Sequence, residues 1–121
     1  MMIKIFALVA LFLTQFNPTE VLVNTKWEGS LNIPTEVNGG IEFKKDTMYI
    51  MYENNIVETM TYKEKGDSLF IQKVSGGSPC EAELGTYTFK IAYDILVLNL
   101  VQDNCSERSE AFSPAGYKKV N

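Results

Sequence analysis

Residues 80–105 read CEAELGTYTFKIAYDILVLNLVQDNC, and the reading of this stretch decides the fold. Two apolar-rich runs, Leu84 to Ala92 and Ile95 to Val101, meet at a Tyr93-Asp94 corner, and a cysteine stands beyond each outer end. In the first run Tyr87, Phe89 and Ile91 alternate with Thr86, Thr88 and Lys90, while Leu96, Leu98 and Leu100 form the facing row of the second. Period-two alternation broken by a two-residue corner predicts an antiparallel hairpin. Pairing outward from the corner sets Cys80 and Cys105 opposite each other to within about two positions, near enough to bond. A disulfide closing a loop of about 26 residues stabilises a fold by roughly 3 kcal/mol on the chain-entropy account.

The same alternation extends through the rest of the chain. Upstream, Lys26 to Ile33 places Trp27, Gly29, Leu31 and Ile33 on one face. Pro34 ends that strand, and Asn38-Gly39-Gly40 reads as a turn. Ile41 to Lys44, Thr47 to Tyr52, Ile56 to Lys65 and Ser68 to Val74 follow as strands, separated by the corners Lys45-Asp46, Glu53-Asn54-Asn55 and Lys65-Gly66-Asp67. Downstream of Cys105, Arg108 to Ser113 reads as a last strand with Phe112 inward, and Tyr117 to Asn121 as a polar tail. Eight short strands with tight corners and no helical periodicity predict an all-β chain. An eight-stranded antiparallel up-and-down β-barrel with one disulfide is the first expectation, because closure removes exposed edges, and a two-layer β-sandwich is the alternative.

With 121 residues the chain holds one domain. Met1 to Lys4 give a positive start, Ile5 to Leu13 an unbroken apolar run too short to span a bilayer, and Thr14-Gln15 a polar exit. This is the pattern of a secretory leader, placed at residues 1–18, with residues 19–121 as the exported domain, periplasmic or secreted. No cysteine lies near the boundary, so the chain is not expected to be a lipoprotein. The two cysteines of an exported chain favour a disulfide. Of 11 basic and 15 acidic residues the leader holds only Lys4, so its removal takes the net charge from −4 to about −5. Basic residues spread thinly among carboxylates exclude a nucleic-acid surface, and no integral membrane span is expected once the leader is gone.

Lys26-Trp27-Glu28-Gly29, Asp103-Asn104-Cys105-Ser106-Glu107-Arg108 and the hairpin between them carry a likeness. They resemble the small exported lipocalin-like proteins of bacteria, within the calycin group of ligand-binding barrels. The chain departs from typical lipocalins in carrying Trp27-x-Gly29 rather than G-x-W, in its shorter length and in showing no legible C-terminal helix. The resemblance implies that Arg108, from the last strand, packs over Trp27 and closes one end of the barrel, a cation–π contact of ~1–2 kcal/mol when desolvated.

Catalytic machinery is not legible. There is no histidine, hence no His-containing triad or zinc site, and with both cysteines bridged no free thiol. No metal or other cofactor is implied, and the chain is not read as an enzyme. Most Asp and Glu alternate with inward apolar residues or sit in turns, which predicts a solvated outer face; Glu81 and Glu83 are the nearest local pair. What remains is the barrel lining: Phe43, Met48, Ile50, Tyr52, Met60, Tyr62, Leu69, Ile71, Tyr87, Phe89, Leu96 and Leu98. Methionines adapt to irregular ligands and tyrosines offer a hydroxyl in an apolar pocket, so a small hydrophobic or amphipathic molecule is the expected partner of a monomeric carrier. The competing reading is a filled barrel serving as a cell-surface or periplasmic interaction module, since eight strands enclose room for either side chains or one small ligand. A third, an isomerase or cyclase of the kind some calycin-like barrels support, would need a buried Glu or Tyr acid/base group.

Overall fold

The computed structural model describes residues 20–121; the predicted leader lies outside them. Eight antiparallel strands close into a barrel in sequence order: β1 (Thr25–Asn32), β2 (Glu36–Phe43), β3 (Thr47–Tyr52), β4 (Asn55–Lys65), β5 (Ser68–Gly76), β6 (Leu84–Ala92), β7 (Ile95–Asp103) and β8 (Tyr117–Val120), with β8 returning to β1. One helix, α1 (Ser106–Ala111), lies between β7 and β8. The central hairpin is present as β6–β7, pairing from Ala92–Ile95 out to Gly85–Asp103. Tyr93 and Asp94 both have positive φ, 53° and 61°, the two-residue geometry that matches strand twist. Cys80 and Cys105 are bonded, their Cα atoms 5.5 Å apart.

The core is one cluster. Trp27, Leu31, Ile41, Phe43, Met48, Met60, Leu69, Ile71 and Tyr87 are almost wholly removed from water, as alternation on each strand requires. The end that carries the β2–β3, β4–β5 and β6–β7 turns, here the lower end, is plugged by the segment before β1. Leu22 is fully buried, its amide and that of Val21 donate to the Glu64 carboxylate at 2.9 and 2.8 Å, and Thr25 Oγ1 donates to the Leu22 carbonyl. Thr25 Oγ1 also accepts the Trp27 indole N–H at 2.8 Å, so plug and core are tied through one hydroxyl.

Five expectations need correction. Asn38-Gly39-Gly40 is inside β2, opposite Ser30, Gly29 and Glu28, and the chain reverses earlier, around Pro34-Thr35. The glycine is there for space: a Cβ on Gly39 would meet Leu31 Cδ1 at 2.5 Å and the Met51 carbonyl at 2.7 Å. Residues 108–113 are not the last strand. Ser106–Ala111 is helical, a run of good to neutral helix formers too short to show periodicity. The strand that closes the barrel is Tyr117–Val120, read as a polar tail, and its Tyr117 is fully buried with its hydroxyl donating to the Ser30 carbonyl and accepting from the Ser113 amide. Leu100, expected in the inner row, is 55% exposed. It lies where β7 has run past its last β8 partner and a bulge shifts the β6–β7 register.

The arginine closure of Trp27 also fails, because Arg108 is on α1 and its guanidinium is held by Asp103, while the β8 residue paired with Trp27 is Lys119.

Tyr62 gives the lower end a pH signature. Its ring meets Phe43 edge-on at 5.1 Å and its hydroxyl donates to the Lys44 carbonyl. Burial, then the charges of Glu20, Glu64 and Asp46, push the phenol up to about 12. A free phenol ionises near 10, so this group's contribution to stability is complete below about pH 10 and is lost as pH rises toward 12. Partial solvent access limits it to ~1 kcal/mol. In urea titrations followed by the fluorescence of the single tryptophan, the midpoint of Tyr62→Phe should fall less between pH 9 and 12 than that of the unaltered protein; parallel slopes would contradict this.

Candidate functional site

The upper end carries the β1–β2 turn, the β3–β4 turn, the long β5–β6 connection and α1. A cavity of about 480 Å³ lies there. Its lining comes from five places: Asn32, Ile33 and Pro34 at and after the end of β1; Ile50 and Tyr52 of β3; Val57, Glu58 and Met60 of β4; Gly77, Ser78 and Pro79 of the loop; and Glu107, Arg108, Glu110, Ala111 and Phe112 on and after α1. Of the twelve residues expected to line the barrel, Ile50, Tyr52 and Met60 border this space. Eleven of the twelve are buried and Tyr52 is half-buried; the nine that do not reach the cavity belong to the buried core cluster.

The roof is held by two devices. One is the disulfide, which ties Cys80 in the β5–β6 loop to Cys105, whose carbonyl accepts the first amides of α1 from Arg108 and Ser109. Phe112, just past the helix, bridges to Leu31 and stands edge-on to Tyr87 at 5.4 Å. The other device is ionic. Arg108 Nε donates to Asp103 Oδ2 at 2.6 Å and Nη2 to Oδ1 at 2.7 Å, a bidentate pair, and Nη2 also reaches the Glu83 carbonyl at 2.9 Å. The Asp103 side chain is wholly buried and that of Arg108 is 4% exposed. Asp103 further accepts from the Tyr87 hydroxyl and the Cys105 amide. Burial alone would raise the Asp103 carboxyl, but hydrogen bonds from Arg108, Tyr87 and the Cys105 amide outweigh it and hold the group below its ordinary value. Burial, with Asp103 beside it, pushes the Tyr87 phenol upward. The third guanidinium nitrogen, Nη1, is buried without a hydrogen-bond partner.

Glu58 forms the opposite wall. It is 8% exposed, and its two oxygens accept from the Ser78 amide, at 3.2 Å, and the Ser78 hydroxyl. Lys73 Nζ stands 3.7 Å from Glu58 Oε2 and donates to the Ser78 carbonyl at 2.6 Å. The carboxylate fits because residue 76 is glycine at φ +137°; a Cβ there would overlap Glu58 Oε1 at 2.0 Å. Glu58 and Lys73 thus fasten the loop that carries Ser78 and Cys80.

Sequence reading missed Glu58, although the signal was present. It shares the parity of the inward Met60 and Tyr62, and β4 carries that parity through to residue 58. Glu83 of the suspected local pair contributes its backbone carbonyl rather than its carboxylate. Among the described residues no group of three His, Cys, Asp or Glu side chains could hold a metal ion, and no helix is long and apolar enough to cross a membrane.

No known family, curated protein or solved structure matches this chain.

Proposed function

We propose that this protein is an exported, lipocalin-like carrier that takes a small hydrophobic or amphipathic molecule into the upper cavity. The observation that carries the reading is the asymmetry of the barrel. Leu22 plugs the lower end, whereas the upper end holds a cavity of about 480 Å³ floored by Ile50 and Met60, within the range of small-molecule sites. The Cys80–Cys105 bond is compatible with an oxidising, extracellular location. The wall carboxylate of Glu58 is already engaged by Ser78 and Lys73, which favours a fastening role over acid/base work.

The interaction-module reading rests on apolar residues left in solvent on neighbouring strands, Leu84 of β6 and Leu100 and Val101 of β7. The two readings part at Met60, whose side chain floors the cavity. Met60→Trp should fill it. A carrier binds a polarity-sensitive apolar dye, displaceable by long-chain lipids, and Met60→Trp should weaken that binding at least about tenfold with the far-ultraviolet circular dichroism unchanged. A filled barrel binds no dye and loses only ~1–3 kcal/mol of stability to overpacking.

A further inference from the structure

The barrel closes over only part of β7. β8 pairs with Ile95 and Leu96 alone, and among the described residues no further backbone hydrogen bond reaches β7 on that side beyond Leu96. Asn99, Leu100, Val101 and Gln102 are exposed in succession, Leu100 by 55% and Val101 by 59%. The Asp94 carbonyl accepts the Lys119 amide on this side, and backbone direction alternates along a strand. The N–H and C=O groups of Leu98 and Leu100 therefore face the same way, up to the bulge at Val101. Such an edge is a template for another strand, and natural edges are commonly guarded by Lys or Pro; residues 97–102, VLNLVQ, hold neither and carry no charge.

The sequence of the edge says which strand fits it. Val97-Leu98-Asn99-Leu100-Val101 reads the same in both directions. Antiparallel pairing about a two-fold axis at Asn99 sets Val97 against Val101, Leu98 against Leu100 and Asn99 against Asn99 of a second copy, the self-complementarity that a two-fold interface requires. The charges agree. Lys118 and Lys90 pair with Ile95 and Val97 at one end of the edge, and Glu107 and Glu110 follow its other end on α1, all four exposed. The reversal brings the acidic end of each copy to the basic end of the other.

We propose that this edge of β7 docks a second copy of the chain, joining two barrels through one continuous sheet in place of the monomer expected from the sequence. No residue of β7 lines the upper cavity, so the dimer is independent of what the cavity holds. A five-residue edge is a small interface, which sets the dissociation constant at ~10–100 µM.

Sedimentation equilibrium of the disulfide-bonded protein up to roughly 1 mM should show a monomer–dimer equilibrium. Asn99→Lys opposes like charges on the axis and should weaken it at least about tenfold with the far-ultraviolet circular dichroism unchanged. Asn99→Asp should do the same, and an equal mixture of the two variants should dimerise again. Ile56→Lys, at an exposed position on β4, should leave the equilibrium as it is. The Leu100 amide should exchange slowly in the dimer and quickly in Asn99→Lys. A monomer at every concentration, a dimer indifferent to Asn99→Lys, or a mixture no tighter than its components overturns the inference. A monomer whose Leu100 amide is protected by an added extended apolar peptide gives the edge to a foreign strand, and overturns the second copy as its occupant.

Discussion

Arg108→Ala is expected to destabilise the protein by about 3–5 kcal/mol at neutral pH, the range for stripping one partner from a buried ion pair. The size of the effect comes from what is left behind. The Asp103 side chain is wholly buried and would keep only the Tyr87 hydroxyl and the Cys105 amide as donors in place of two more from the guanidinium. The lost guanidinium also spans from β7 to the Glu83 carbonyl ahead of β6, so the variant loosens the seam under α1.

The pH dependence separates this mechanism from simple lost packing. In the unaltered protein the Asp103 carboxyl is held below its ordinary value, so its contribution is present above about pH 4 and is lost as pH falls through the native value. Without Arg108 the burial that opposed the shift dominates and the carboxyl rises. Its contribution is then present at low pH and lost as pH increases. The stability gap between the two proteins should therefore be widest near pH 7 and narrow on acidification toward pH 4. A gap independent of pH would mean that Arg108 acts through its aliphatic stem alone. Asp103→Asn combined with Arg108→Ala should cost less than the sum of the single changes.

The second large effect is expected at the disulfide. Cys80→Ala/Cys105→Ala should lower stability by ~3 kcal/mol and should do so unevenly. Cys105 is the residue from which α1 starts, and Cys80 sits in a loop that Glu58 and Lys73 fasten through Ser78. Removing the bond leaves the loop fastened and the helix held by Arg108–Asp103 and the Phe112 docking. Amide exchange should therefore accelerate in residues 106–112 far more than in β1 to β4, whose ladders do not involve the bond. Uniform acceleration would show that the bond acts only on the unfolded chain.

How far the sequence carries can be traced residue by residue. The β6–β7 hairpin, the disulfide and the closed order of strands were legible because alternation and corner length fix register with no knowledge of the rest. Asn38-Gly39-Gly40 misled because glycine serves two needs, turning the chain and admitting a neighbour. Here the neighbours are Leu31 and the Met51 carbonyl, which become visible only once β1, β2 and β3 are assembled. Six residues of α1 are less than two turns, too few for a period to emerge, and their helicity follows from the tertiary tie at Cys105 and the Arg108–Asp103 pair. Tyr117 looked like tail because β8 has four residues with two exposed lysines at its centre; its burial is imposed by the closing pair of strands. At the candidate site, Ile50, Tyr52 and Met60 were legible from parity, whereas the roof is built from loop and helix residues that no periodicity ties to the strands below.

The most direct measurement is native mass spectrometry of the disulfide-bonded protein purified from an oxidising compartment, before and after incubation with lipid extract and against the same samples denatured. A carrier with a cavity of this size retains one small molecule, seen as an added mass that leaves on denaturation and is absent from Met60→Trp. A bare mass in every sample, with the extract added and the disulfide intact, would contradict the carrier reading.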